Sequence, residues 1–409
     1  MRATAAMLVA LGALAAGCGG DSSDELHRVT IVVNAPFSKT PYVGETIARG
    51  AELAARELEA SGGVATKEGT FDFRIERADN ALSPQRAVSN VRGAIRDGAV
   101  AIVDEGTGVD ASWRLARDAD VPLGITYQGG SGLVDPETRP NVFRIAPTDR
   151  GIAFRLAEYL VPKGLRLALV TDDSGYGREG KAALAKAFGS NPEAVALRAE
   201  VPAGSDGVAT AVLRARRADA TGLLVWGQAR TLAAALTAAR SRGWTVPVYA
   251  PPTAEDPLVR QQLADHPEWV DGLTFASGRM TAERGPEDWL RFQTAFETAF
   301  GPDLVGVKTS NGARVAQPPD YAMYAYDFVR VLAAAIDRAD GVGDREAILR
   351  ALDEVTVRGA NGDERGFNVH NHEGVVDDDV YFARFDDMTF EPVADDPLSS
   401  TLPVIDQTR

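Results

Sequence analysis

This chain of 409 residues has little cysteine and histidine and fewer basic than acidic residues. The single cysteine, Cys18, excludes an intramolecular disulfide, so the fold must be held together by its core. Of the four histidines, His370 and His372 would share one face of a strand, and only Glu373 lies near them as a third metal ligand. We therefore expect exposed histidines rather than a metal site. The excess of 58 acidic over 43 basic residues argues against nucleic acid and anionic membrane surfaces as partners.

The apolar run near the N-terminus is too short to cross a membrane. Arg2 followed by apolar residues 5–16 is instead typical of a secretory signal. The segment Ala15-Ala-Gly-Cys18 resembles the lipobox of bacterial lipoproteins, whose cysteine is acylated and becomes the mature N-terminus. That resemblance implies lipidation of Cys18, although Ala15 stands where the usual lipobox has leucine. The alternative is a plain secretory signal with an incidental cysteine.

Familiar catalytic motifs are missing as well. The sequence contains no G-x-S-x-G elbow, H-E-x-x-H pair or phosphate-binding P-loop. The segment Gly175-Tyr-Gly-Arg-Glu-Gly180 does fit the dinucleotide fingerprint G-x-G-x-x-G. In that fingerprint the first glycine follows a strand directly, whereas here polar residues intervene and Tyr176 stands where the backbone must approach a pyrophosphate. We expect either a tight turn or a turn that lines a ligand cleft, and no catalysis, cofactor or metal.

Short apolar runs alternate with amphipathic helical segments along most of the remaining chain. An apolar content of 45% and a charged content of 25% are ordinary for a globular protein, and the length suits two domains. Strands are predicted at residues 29–33, 71–75, 99–103, 121–125, 167–170, 195–201, 222–226 and 246–250. The helices between them give βαβ spacing, so the predicted fold class is α/β with parallel sheets and right-handed crossovers. Further helices are predicted at residues 289–300, 321–339 and 344–352.

Four segments, taken in order, resemble the type I periplasmic binding proteins. They are Tyr42-Val-Gly-Glu-Thr-Ile-Ala-Arg-Gly50, Phe143-Arg-Ile-Ala-Pro-Thr-Asp149, Asp172-Asp-Ser-Gly-Tyr-Gly177 and Tyr324-Ala-Tyr-Asp327. The closer match is the branch that binds leucine, isoleucine, valine and related amino acids or amides for ABC importers. The resemblance implies two Rossmann-like lobes with parallel sheets, joined by three hinge crossovers, that close on a ligand. It places the crossovers near residues 146–149, 276–279 and 372–376.

The same resemblance implies a division of the chain into lobes and terminal segments. The expected parts are a lipoprotein signal peptide (1–18), a tether (19–27), an N-terminal lobe (28–147 plus 278–373), a C-terminal lobe (148–277 plus 374–395) and a tail (396–409).

Polar ligand-binding residues carry over from the family by position. The loop after the strand at 99–103 normally offers hydroxyls and amides to a ligand carboxylate, which implies Thr107 and Gly108. In the next strand-end loop the family's alanine and threonine slots fall on Gln128 and Gly129, with Ser131 close by. The acidic residue that pairs a ligand ammonium aligns near Pro252. Either Glu255, Glu105 or Asp173 takes its place, or the ligand is not an α-amino acid, because an unpaired buried ammonium is costly.

An aromatic lining is implied in the same way. Tyr176 matches the cleft tyrosine of the family, and Trp226 with Gln228 occupies a strand-end loop that often holds aromatics. Tyr42, Thr253 and Tyr321 complete the implied binding site. For each aromatic residue singly, core packing is the alternative.

Taken together, these features lead us to expect a lipid-anchored, extracytoplasmic solute-binding protein of an ABC importer, monomeric and without catalytic activity. Its expected ligand is an amino acid, an amide or a related small polar or aromatic solute, and its expected partners are the permease and ATPase subunits. A ligand sensor of the same fold that feeds a signalling partner is the main alternative, and an NAD-linked enzyme is a second.

Overall fold

Two separate β-sheets organise the chain in the structure, a computed structural model that describes residues 26–376 and 379–409. The signal segment with Cys18, and all but the last two residues of the predicted tether, lie outside the described residues. The strands are β1 (Leu26–Ala35), β2 (Val64–Thr66), β3 (Gly69–Asp79), β4 (Ala101–Asp104), β5 (Leu123–Ile125), β6 (Val142–Arg144), β7 (Leu167–Asp172), β8 (Val195–Val201), β9 (Gly222–Trp226), β10 (Val248–Ala250), β11 (Thr274–Met280), β12 (Asp303–Lys308), β13 (Arg314–Gln317), β14 (Thr356–Arg358), β15 (Glu364–Gly366), β16 (Val380–Asp386) and β17 (Thr389–Pro392). The helices are α1 (Pro41–Ala60), α2 (Pro84–Arg96), α3 (Val109–Arg117), α4 (Asp149–Leu160), α5 (Gly175–Ala187), α6 (Val208–Arg217), α7 (Ala229–Arg240), α8 (Pro257–Gln262), α9 (Glu287–Phe300), α10 (Ala322–Ala339) and α11 (Arg345–Leu352).

Each sheet is mostly parallel, as the βαβ spacing predicts. The first sheet has the order β2-β3-β1-β4-β5-β6, and every neighbouring pair except the β2–β3 hairpin is parallel. The second has the order β17-β16-β11-β10-β9-β7-β8, with antiparallel pairing only where β16 and β17 join. Interior strands such as β4 and β7 are buried along their whole length, which explains their apolar sequences without alternation. The predicted α/β fold with two parallel-rich lobes is confirmed.

The chain passes between the two lobes three times. It leaves the first sheet after β6 and enters the second lobe with α4, which packs on α5. It returns after β11, because α9 and α10 pack on α1 of the first lobe, and it crosses again before β16. Glu373 forms a parallel bridge with Arg144 of β6, so the first and third passages run side by side.

Helix α1 shows how the first lobe acquires its last helices. Ile47, Ala51 and Ala54 recur at helical spacing and are fully buried, so this face of α1 lies in the core. Gly50 lies on the same helix where α10 approaches, and a β-carbon there would lie 2.1 Å from the carbonyl oxygen of Ala322. Only glycine permits this contact between α1 and α10. Within the described ranges, no helix combines the length and apolar content needed to cross a bilayer.

The hairpin β12–β13 and the last residues depart from the expected division into lobes. Val305 and Val315 of the hairpin lie in the apolar core of the second lobe, and Gln261 of α8 donates to the Val305 carbonyl at 2.7 Å. These residues were expected in the first lobe, and no hairpin was predicted there. The segment expected to be a tail also packs on the protein, where buried Asp396 pairs with Arg155 at 3.2 Å and Thr408 bridges to Val315.

Candidate functional site

A cavity of about 430 Å³ lies between the two lobes, at the edge where the parallel strands end. The carboxyl ends of parallel strands are where open α/β folds bind ligands, and cavities of this size hold small molecules. Its walls come from loops of both lobes and from the first passage between them: Pro36, Lys39, Thr40, Val43, Leu82, Glu105, Tyr127, Gln128, Pro147, Asp149, Ile152, Tyr176, Gln228, Ala229, Arg230, Thr253, Asp256, Leu258 and Tyr321. A wider groove of about 820 Å³ lies on the outer surface of the first lobe, where it is lined by α1, α9 and α10 and by no end of a parallel strand.

Three tyrosines form the aromatic part of the cavity wall. The rings of Tyr127 and Tyr321 pack with centroids 4.7 Å apart, and the Tyr176 hydroxyl is hydrogen-bonded to the Thr253 side chain. Burial raises the pKa of each of the three phenols above the usual range, so they are neutral near pH 7. Tyr127 was not among the predicted site residues, although its place two residues after the end of β5 is the signal that would have identified it.

Trp226 lies behind this wall rather than on it. Its side chain is fully buried, its ring packs 5.7 Å from that of Tyr176, and its indole N–H has no hydrogen-bond partner among the described residues. A β-carbon on Gly180 would lie 2.2 Å from the Trp226 ring, so the glycine allows α5 to pack directly on the indole. Trp226 therefore supports Tyr176 from the core.

The first turn of α5 explains the rest of the G-x-G-x-x-G pattern. The Ser174 hydroxyl accepts from the Gly177 N–H at 3.0 Å and so already caps the helix. A β-carbon on Gly177 would lie 2.1 Å from the Asp172 carbonyl oxygen. The pattern thus reflects a capped turn packed tightly against β7.

Helix α7, by contrast, begins on the cavity without a side-chain cap. Gln228 precedes its first turn, and the Gln228 N–H donates to Asp172 at 2.7 Å. The next two residues, Ala229 and Arg230, line the cavity. Uncapped N–H groups at a helix N-terminus carry partial positive charge, so this part of the second lobe suits an anionic group.

Glu105 is the buried acid of the first-lobe wall. It follows β4, is 1% exposed, and accepts hydrogen bonds from the Asn80 amide at 3.0 Å, the Thr107 N–H at 2.9 Å and the Gln128 amide at 3.1 Å. Burial raises the pKa of this carboxyl, since the charged form loses its hydration. No basic side chain in the described part of the chain pairs with Glu105.

The remaining charges on the wall are of both signs. Asp149 is buried where the first passage enters α4, and Asp256 caps α8 by accepting from the Leu258 N–H at 2.9 Å. Lys39 and Arg230 are exposed on opposite lobes, and neither lies within ion-pairing distance of a carboxylate in residues 26–376 or 379–409. The same described ranges hold no cluster of three or more side chains suited to a metal ion. The wall therefore offers both cationic and anionic groups to a ligand.

Five of the residues expected in the binding site line this cavity, and six do not. The five are Gln128, Tyr176, Gln228, Thr253 and Tyr321. The six that lie elsewhere are Tyr42, Thr107, Gly108, Gly129, Ser131 and Trp226.

Close packing accounts for the positions of Gly108 and Gly129, two of the six residues that do not line the cavity. A β-carbon on Gly108 would lie 2.6 Å from Ala87 of α2, and one on Gly129 would lie 2.4 Å from the Asp149 nitrogen at the first passage. Both glycines allow close contacts between their loops and neighbouring segments. Ser131 is exposed, and Thr107 accepts from the Gln128 amide at 3.1 Å.

Of the three acids proposed to replace the ammonium partner of the family, only Glu105 reaches the cavity. Asp173 is exposed and accepts from the Ala203 N–H at 2.7 Å. Glu255 is fully buried beneath the wall, where it accepts from Ser277 and from the Gly278 N–H. Burial, together with nearby Asp320, raises the pKa of Glu255 to about 8.

Comparisons with known proteins agree with this architecture. A family model described as periplasmic binding protein matches residues 29–389. The chain is 24% identical over 354 residues to Leu/Ile/Val-binding protein homolog 3 of Brucella melitensis, covering 81% of this chain and 85% of that protein. The fold is similar to LivJ of Streptococcus pneumoniae in complex with isoleucine (TM-score 0.73, 20% identity, 89% and 98% of the two chains). It is also similar to an R. palustris solute-binding protein in complex with benzoate (TM-score 0.69, 16% identity, 90% and 96%). The chain therefore belongs to the periplasmic binding protein family.

Proposed function

We propose that this protein captures a small zwitterionic solute with an apolar part between its lobes and delivers it to the permease and ATPase of an ABC importer. The observation that carries the proposal is the cavity between the lobes. Its wall combines three tyrosines with buried Glu105 and with Lys39 and Arg230, which have no carboxylate partner among residues 26–376 and 379–409. An amino acid with an apolar side chain matches each of these features. Amides and aromatic acids match some of them.

The relatives support this class of ligand. The Brucella melitensis protein is named for leucine, isoleucine and valine, and the Streptococcus pneumoniae structure holds isoleucine. The R. palustris protein holds benzoate, so the fold also accommodates an aromatic acid. Tyr127, Tyr176 and Tyr321 provide the flat apolar surface that either an aliphatic or an aromatic side chain would contact.

Closure of the lobes would convert binding into a shape that a transporter recognises. The first-lobe loops and the second-lobe loops each form only part of the wall, so one ligand contacts both lobes and favours the closed arrangement. The family consists of substrate-binding proteins, and this mechanism requires no chemical step.

A calorimetric titration with leucine, isoleucine, valine, phenylalanine and benzoate tests the proposal. Tyr176→Ala is expected to weaken the strongest binder by about 1–3 kcal/mol, because it removes a ring from the wall. Phe154→Ala is the matched control, since Phe154 is an aromatic residue of α4 that is 41% exposed and does not line the cavity. Equal affinities in both variants would remove Tyr176 from the site, and no binding by any of these solutes would contradict the proposed ligand class.

The lipid anchor is a separate part of the proposal. Cys18→Ser is expected to move the protein from the membrane fraction to the soluble fraction, because acylation needs the thiol. Metabolic labelling with a fatty acid should mark the wild-type protein alone. Unchanged fractionation and labelling would favour a plain secretory signal.

Uptake of the bound solute by cells that lack the gene distinguishes an importer from a sensor, since only the importer role predicts loss of uptake.

A further inference from the structure

Glu105 lies in the loop after β4, where the resemblance to the family implies that Thr107 and Gly108 contact a ligand carboxylate. We infer that Glu105 binds the cationic group of the ligand, so that a zwitterion lies with its ammonium on the first lobe and its carboxylate on the second. This inference rests on the proposed function and names the orientation and class of the ligand. It makes Glu105 a specificity-determining residue that favours amines over plain carboxylates.

The hydrogen bonds of Glu105 provide no countercharge for its carboxylate. Oε1 accepts from Asn80 and from the Thr107 N–H, Oε2 accepts from Gln128, and the Thr107 hydroxyl is also hydrogen-bonded to this carboxyl group. All of these donors are neutral, and Glu105 lines the cavity. A buried carboxylate supported only by neutral donors gains most from a cation, and no basic side chain among the described residues pairs with Glu105.

The carboxyl side chain is held in place by a strained turn. Buried Asn80 donates to Glu105 and accepts from the Leu82 N–H at 2.9 Å. Ala81 and Leu82 both adopt left-handed backbone conformations, with φ of 50° and 56°, which residues other than glycine and asparagine rarely adopt. Such strain persists where the surroundings determine the conformation, and here it directs Leu82 toward the cavity beside Glu105.

The second lobe provides the matching place for the carboxylate. Arg230 and the uncapped first turn of α7 lie on the opposite wall from Glu105. A carboxylate placed instead against ionised Glu105 would meet a like charge in a site with little water. The competing arrangement is a protonated Glu105 that donates a hydrogen bond to the ligand carboxylate, and the two arrangements respond oppositely to pH.

The titratable groups around Glu105 come from every adjoining element. Asp104 precedes it in the chain and Tyr127 follows the neighbouring strand. The charged groups on the rest of the cavity wall are Lys39, Asp149, Arg230 and Asp256. Binding of an ammonium requires ionised Glu105, so affinity for an amine should increase as pH rises through the titration of this group. Binding of a carboxylate by the protonated form should weaken over the same range.

The test is calorimetry on the full chain with leucine and phenylalanine and with analogues that lack one charged group. For leucine these are isocaproate, which lacks the amine, and isoamylamine, which lacks the carboxylate. For phenylalanine they are phenylpropanoate and phenethylamine. Removing the amine from a bound amino acid should weaken wild-type binding by about 10- to 100-fold, as for a hydrogen bond to a charged group. Glu105→Gln should weaken binding of the amino acid by a similar factor and change binding of the deaminated analogue little.

Glu158→Gln is the matched control, because this exposed glutamate of α4 does not line the cavity. The analogue series and the pH series use the wild-type protein, so they stand even if Glu105→Gln does not fold. Tight binding of isocaproate or phenylpropanoate that weakens with rising pH would overturn the inference in favour of a protonated Glu105. Amino acid binding unaffected by Glu105→Gln would overturn it while leaving the proposed function intact. If no amino acid binds the wild-type protein, both fail together.

Discussion

Replacing Gly180 by alanine tests whether the glycine pattern of α5 serves packing. A β-carbon there would lie 2.2 Å from Cδ1 of Trp226 and 2.3 Å from Nε1, whereas ordinary contact begins at 3.4 Å. The indole would therefore have to withdraw by about 1.2 Å, and it is fully buried. Gly175 belongs to the same helix and the same pattern, yet a β-carbon on it meets nothing within 4 Å.

The two substitutions should change stability in opposite directions. Overpacking of this kind destabilises proteins by about 1–3 kcal/mol, and the better helix propensity of alanine offsets up to about 1 kcal/mol of it. Gly180→Ala should therefore lower the free energy of unfolding by about 1–2 kcal/mol. Gly175→Ala should raise it by about 0.4–1 kcal/mol, because alanine restricts the unfolded chain without a clash.

Urea unfolding followed by tryptophan fluorescence measures both effects. Because Trp226 lies behind Tyr176, Gly180→Ala should also weaken binding of the solute identified by calorimetry, and Gly175→Ala should not. The packing explanation is refuted if Gly180→Ala is as stable as Gly175→Ala. A dinucleotide role would instead predict that both glycines affect cofactor binding and that neither affects the solute.

Two further predictions concern buried charges. Asp320→Asn should destabilise the protein by about 3–5 kcal/mol, because it leaves Arg279 charged and buried without the carboxylate that lies 2.8 Å from it. The control is Asp97→Asn, which breaks an exposed ion pair and should have little effect in the same urea assay. Asp104 is buried beside Glu105, and its pKa is raised to about 8, mainly by burial. The folded state therefore binds a proton that the unfolded state has released, so between about pH 4 and about pH 8 this group lowers stability as pH rises, by at most about 1.4 kcal/mol per pH unit. Asp104→Asn should flatten that slope, and an unchanged slope would contradict the assignment.

The sequence was sufficient for the elements whose patterns are local. The buried stripe of α1 and the unbroken apolar run of β7 each identify their structure without reference to distant residues. The hairpin β12–β13 was not predicted, because its strands are short and contain Gly306. Its stability comes from packing on α8, a contact between segments that are distant in the chain.

The candidate site was only partly predictable for a related reason. Position after a strand indicates which loops reach the cavity and pointed to Tyr176, whereas Gln128 was implied by the resemblance to the family. It does not indicate which side of a loop a residue faces, so Gly108 was expected beside the ligand although it packs on Ala87 of α2. It also cannot distinguish Trp226 in the core from Tyr176 on the wall, since the burial of Trp226 depends on the packing of α5 against it.

Arg144 links the binding wall to the connections between the lobes. Its guanidinium donates to the carbonyl of Gly130, at 2.8 Å, and to that of Gln128, and it pairs with Glu373 on the third passage at 2.7 Å. The loop that holds Gln128 and two of the three interlobe segments therefore share one side chain. A substitution at Arg144 would consequently alter ligand affinity and the open–closed equilibrium together, so measurements of either quantity alone on such a variant would misassign the residue as purely a ligand contact or purely a hinge.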